Sequence, residues 1–169
     1  MASDEAVLEE RMYAQTEPRR PYGYYAAFIA LYNALFGIFL LLYRRSDEPL
    51  ERVSPLDVAL LGMATVRLAK AVSEDEITTV VREPVVEQVG QERRPQGEGM
   101  RYALGKLILC PTCTGTWIAA FLTYALHLFP RYTRPFLAVM SASGISQFID
   151  ALLSLMYANR DAARKADAA

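Results

Sequence analysis

The sequence predicts an all-α fold, an integral membrane bundle of four transmembrane helices, or of three if residues 55–72 lie in the interface. Three observations carry this expectation. Pro21 to Tyr43 runs for 23 residues without a charge, and about 20 apolar residues are enough to cross the hydrocarbon core. The hydrophobic share of the 169 residues is 53%, above the roughly 45–50% of a soluble domain. Basic residues also sort unevenly between the segments that join the apolar runs, the pattern left by the excess of Lys and Arg in cytoplasmic loops.

The first element is 21–43. Tyr22, Tyr24 and Tyr25 crowd one end and Tyr43 marks the other, as expected of aromatic rings at headgroup level. Its length exceeds the roughly 7–15 residues of a signal-peptide core, and no small-residue cleavage site follows, so it reads as an uncleaved anchor. The second element, 55–72, is interrupted by Asp57, Arg67 and Lys70. As a crossing, it sets Asp57 at one interface and lets the basic side chains snorkel to the other; otherwise it is an amphipathic helix in the interface. Ala59, Gly62 and Ala64 are the small residues that close packing in lipid favours, and they favour a crossing.

Residues 73–112 read as a polar cytoplasmic loop with a capping-box-like Ser73-x-x-Glu76 and a short helix. Met100 to Leu109 would lie along the membrane surface at its end. The third crossing is expected over 113–129, after Pro111 splits the uncharged run, and Pro130 ends it. A five-residue turn, Pro130 to Arg134, then leads to the fourth crossing over 135–157, with Pro135 in its first turn. The membrane domain is thus 21–160. Residues 1–20 and 161–169 are charged tails.

Topology follows from the basic residues. With four crossings, Arg11, Arg19, Arg20, Arg82, Arg93, Arg94, Arg101, Lys106, Arg160, Arg164 and Lys165 share one side, eleven against five on the other. The long loop and the C-terminus are therefore expected to be cytoplasmic, and they stay so with three crossings. With 18 basic and 19 acidic side chains, net charge −1, there is no global field for nucleic acid, which is not an expected partner. No Walker loop, dinucleotide fingerprint or His-Glu helix motif is present. The expected partners are the lipid bilayer and further copies or other membrane subunits, and no cofactor is called for.

Two constellations could carry chemistry. Cys110-Pro111-Thr112-Cys113 sets a thiol at a helix start, where backbone N–H groups and the dipole favour thiolate. Thioredoxin-like proteins place this motif after a strand of a βαβ unit, which is absent here. Two thiols make half of a tetrahedral metal site, and the sole histidine, His127, sits at the far end of the following helix. A structural turn is the leading reading, with redox activity or a metal shared between subunits as the alternatives. The second constellation is the polar stripe Ser143, Gln147, Asp150 and Ser154, which recurs on one helical face. Counted from the helix ends, Arg67 and Asp150 fall at one depth, which makes them an expected ion pair; the competing reading is a proton or ion path. His127 reads as a satisfied polar tip.

The order Leu61-Gly62-Met63-Ala64-Thr65-x-Arg67-Leu68, an acidic cluster near Asp75, Gly97-Glu98-Gly99, and Cys110-Pro111-x-Cys113-x-Gly115-x-Trp117 resembles an uncharacterised bacterial membrane family, domain of unknown function 1360. Some of its members are associated with sporulation. The resemblance covers roughly residues 55 to 157. It implies a multi-pass bacterial membrane protein and carries no catalytic residue, with the helix 21–43 an addition to the family core or a variable part of it. The function expected is a non-enzymatic structural or accessory membrane component, with a thiol redox or metal-binding protein as the first alternative and a small ion or proton transporter as the second.

Overall fold

The computed structural model describes residues 21–45, 53–90 and 92–167. The expected N-terminal tail, 1–20, lies outside the described residues. Helix α1 (Tyr22–Arg45) is followed by α2 (Pro55–Ser73), a 3₁₀ turn (Glu76–Thr78), α3 (Thr79–Arg82), β1 (Val86–Val89), β2 (Glu92–Pro95), α4 (Gly99–Leu109), α5 (Pro111–Leu128) and α6 (Pro130–Asp167).

Four long helices stand side by side and alternate in direction. Tyr32 meets Trp117 and Phe39 stacks on Tyr124, so residue numbers rise together and α1 runs with α5. Asp57 lies 3.5 Å from Arg134, and the Ser141 hydroxyl donates to the Leu60 carbonyl at 2.6 Å, so α2 runs with α6. Gly115 near the start of α5 faces Thr65 and Ala69 near the end of α2, so that pair is antiparallel. The core lies where α2 is held between α5 and α6, with Ala64, Leu122, Leu126 and Leu137 at its centre.

Helix α2 starts sharply. The Ser54 hydroxyl accepts from the Asp57 N–H, the Asp57 carboxylate accepts from the Ser54 N–H, and Pro55 occupies the first turn, together a complete capping box. Small residues let α6 approach it. A side chain added at Gly144 would sit 3.2 Å from the Met63 carbonyl oxygen and 3.4 Å from Arg67 Cβ, too tight for anything larger without movement.

By length and hydropathy, α1 and the Pro130–Arg160 part of α6 can each cross a membrane, and α4 with α5 qualifies as one span bent by 87°. That makes two spans, or three with the bent pair, the number expected if residues 55–72 do not cross; the expected fourth crossing does not meet these criteria. Asp57, Arg67 and Lys70 keep α2 outside that set, although it is held between α5 and α6.

Other expectations change as well. Residues 130–134 are not a turn: Phe129 alone joins α5 to α6, and its carbonyl accepts from the Thr133 N–H at 3.1 Å and the Thr133 hydroxyl at 3.0 Å. This starts α6 at Pro130 and leaves Pro135 inside the helix. Helix α5 begins at Pro111, not 113, and α6 continues through Asp167 into the expected tail.

The fold is mostly helical but not all-α. The loop 73–112 holds an antiparallel hairpin in which Val86 pairs with Pro95 and Val89 with Glu92, and Gly90 takes φ +63° at its turn. Helix α4 packs on this hairpin. Gly105 lies so close to the Val85 carbonyl and Pro95 that no side chain fits there. The segment is thus an ordered cap over one end of the bundle.

Candidate functional site

The polar groups of the described residues concentrate where the cap meets the bundle. Arg67 Nη1 lies 2.8 Å from Asp75 Oδ2, an ionic contact off the N–H direction, and Arg67 Nε donates to the Ser143 hydroxyl at 3.2 Å. The expected pair with Asp150 is therefore corrected: Asp75 takes that place. Equal distance from the helix ends does not put the two residues at one level, because the ends of α2 and α6 are not level. Arg67 stands beside Ser143, and Asp150 is seven residues further, about 10 Å along the axis at 1.5 Å per residue. Of the stripe, only Ser143 turns to α2; Gln147, Asp150 and Ser154 are exposed.

Two further arginines close the end of α2. Arg82, 2% exposed, donates to the Val72 carbonyl at 2.9 Å and the Asp75 carbonyl at 2.8 Å. Arg93 donates to the carbonyls of Ser73 and Glu74 at 3.3 and 2.8 Å. A helix C-terminus presents unpaired carbonyls and the negative end of the dipole, and these two cations satisfy both. Burial lowers the Arg82 pKa, as does the charge of Arg93, while Asp75 opposes the shift. Neither arginine was singled out in the sequence, where each is one more charge in a polar loop. Asp75 belongs to the acidic cluster of the family motif.

The cysteines sit at the bend between α4 and α5. Pro111 has no N–H and disfavours a helical residue before it, so Cys110 is extended, φ −99° and ψ 100°, and caps α5 by accepting the Cys113 N–H on its sulfur at 3.3 Å. The carbonyls freed at the end of α4 find hydroxyls. Thr114 Oγ1 donates to Leu107 at 2.9 Å and Ser73 Oγ to Ile108 at 2.6 Å. Both thiols are free, and among the described residues no group of three or more His, Cys, Asp or Glu could hold a metal ion. His127 Nδ1 lies 2.8 Å from the Thr123 carbonyl, and its ring packs on Phe39 and Tyr43.

Beside Cys113 a cavity of about 450 Å³ opens between α1, α4 and α5. It exists because α5 turns 87° away from α4, while α1 touches α4 near Gly99 through Tyr24 and α5 at Trp117 through Tyr32, ring centroids 5.3 Å apart. The wedge between those contacts stays open. Its walls include Tyr25, Phe28, Leu107 and Trp117, with Lys106, Cys113 and Thr116 among its polar members.

Comparison with known proteins agrees with these motifs. The family described as "Protein of unknown function (DUF1360)" matches residues 60–153, from α2 through the cap and the bend into α6. A curated relative, "Sporulation protein YjcA" of Bacillus subtilis (strain 168), is 26% identical over 60% of this chain and 94% of the relative. No solved structure matches.

Proposed function

The chain belongs to the DUF1360 family, and we propose that it is a non-enzymatic structural or accessory component of a bacterial cell membrane. In this reading, all four long helices cross, with the cap and the C-terminus cytoplasmic. The observation that carries it is the use made of the charged residues. Arg67, Arg82 and Arg93 are engaged with carbonyls, hydroxyls or Asp75 at the joint between cap and bundle, and Arg101 holds a carbonyl and an amide inside the cap. Such groups, satisfied within the protein, hold a fold together. The alternating helix directions support four crossings, since they bring the start of α1, the cap and the later part of α6 to one end, the end richer in Lys and Arg.

The relative's name adds sporulation as the setting to test. Deletion in a spore-forming host should lower spore yield if this chain serves there. Restoring the gene with Cys110→Ser and Cys113→Ser together should rescue the phenotype as well as the wild-type gene. The cysteine motif favours a second reading, a thiol redox protein or a metal site shared between copies. A double variant that accumulates normally in the membrane but fails to rescue would establish that reading in place of the first. A transport reading needs an intramembrane relay, and the exposed Asp150 offers none among the described residues.

A further inference from the structure

The cavity between α1, α4 and α5 is the feature the proposed function does not use. Its volume of about 450 Å³ falls within the range of small-molecule sites, roughly 300–1,000 Å³, and such sites share its pattern of apolar walls with a few polar groups. Tyr25, Phe28, Leu107 and Trp117 offer a surface for a hydrocarbon chain, and an apolar void left unfilled forfeits the dispersion contacts of its lining. Lys106 stands at this cavity with its ammonium 5.8 Å from the Tyr102 ring centroid. Among the described residues it makes no salt bridge, so its charge is available to an anion. The tyrosines at the start of α1 set this level of the bundle at the headgroups, where aromatic rings gather.

We propose that the cavity takes one acyl chain of an anionic phospholipid from the surrounding bilayer, with the lipid phosphate drawn to Lys106. This rests on the reading that α1 and α5 stand in a membrane. The bilayer supplies that chemistry in excess. A basic side chain near the cytoplasmic membrane surface attracts anionic lipid by an amount that corresponds to about a fivefold preference.

Trp117 is the only tryptophan of the chain and lines the cavity, so its fluorescence reports occupancy. The full chain is reconstituted in phosphatidylcholine vesicles doped with either phosphatidylglycerol or phosphatidylcholine brominated on the acyl chain, and the vesicles are recovered by flotation. Brominated phosphatidylglycerol should quench Trp117 at about one-fifth the mole fraction that brominated phosphatidylcholine requires. That preference should vanish in Lys106→Gln and return in Lys106→Arg. It should also vanish in Thr116→Phe, which fills the cavity from an exposed position. Equal quenching by the two lipids in floated vesicles, or a preference that survives either Lys106→Gln or Thr116→Phe, overturns the lipid site alone. A chain absent from the floated vesicles overturns the bilayer placement and the lipid site together.

Discussion

Arg67 shows how a single side chain selects its partner. It is 18% exposed and Asp75 is 33% exposed, so the pair is neither dry enough to demand full compensation nor wet enough to be fully screened. Residues in contact through a shared polar network couple by about 0.5–3 kcal/mol, and water at Asp75 puts this pair toward the lower end. A double-mutant cycle of Arg67→Gln and Asp75→Asn, followed by thermal unfolding in detergent, should give a coupling of about 1 kcal/mol. Asp150→Asn should change stability by less than about 0.5 kcal/mol, as exposed substitutions usually do. A large loss at Asp150 with simple additivity at Asp75 would restore the pairing expected from the sequence. Gly105 is the second residue-scale test. Gly105→Ala forces its methyl into the Val85 carbonyl and Pro95, and overpacking of this kind costs about 1–3 kcal/mol. Circular dichroism melts should register the loss, which a Gly62→Ala control, with open space around it, should not share.

At the scale of elements, the joint of α2, α4 and α5 depends on two hydroxyls. Ser73 and Thr114 are 3% and 8% exposed, and they serve the Ile108 and Leu107 carbonyls at the end of α4, the latter also accepting the Cys110 N–H at 3.2 Å. Removing either donor loses one hydrogen bond at a carbonyl that keeps a second, longer one, at a cost of about 0.5–1.5 kcal/mol. Ser73→Ala and Thr114→Val should each destabilise the purified protein by about that amount, and hydrogen exchange should rise first in α4. Unchanged exchange in α4 would mean that water or another donor replaces the lost hydroxyl. The contact of α2 with α6 depends instead on a missing side chain. Gly144→Ile should push α6 from Met63 and Arg67 and weaken the Arg67–Ser143 hydrogen bond, visible as loss of the Arg67–Asp75 coupling in the cycle described above.

For the whole molecule, the proposed sidedness makes an independent prediction. In a background with Cys110 and Cys113 replaced by Ser, a cysteine at Gln88 in the exposed hairpin should be protected from an impermeant thiol reagent in intact cells and react after permeabilisation. A cysteine at Tyr132, 74% exposed at the opposite end of the bundle, should label in intact cells. The opposite pattern would invert the protein, and equal accessibility of both sites would mean that α5, the one proposed crossing between them, does not span. Because the hairpin belongs to an ordered cap, the reagent reports on a rigid position rather than on a loop.

Much of this organisation was legible in the linear sequence. Apolar runs interrupted by charge located α1, α2, α5 and the apolar stretch of α6, because burial in lipid or protein imposes length and composition on a helix locally. Pro111 announced the bend, since a proline constrains its own backbone and its predecessor wherever it occurs. The family motifs were readable for the same reason, as residues fixed in type and order. What only the tertiary structure decided was which residues face each other. The hairpin hides in a polar segment because two four-residue strands carry too short a pattern to announce themselves. Arg67 chose Asp75 over Asp150 because the level of one helix against another depends on packing, here on Gly144 beside Met63 and on Phe129 as the sole link to α6. The cavity beside Trp117 belongs wholly to this second class: it arises from the angle between α4 and α5 and the contacts α1 makes with both, and no single stretch of sequence contains it.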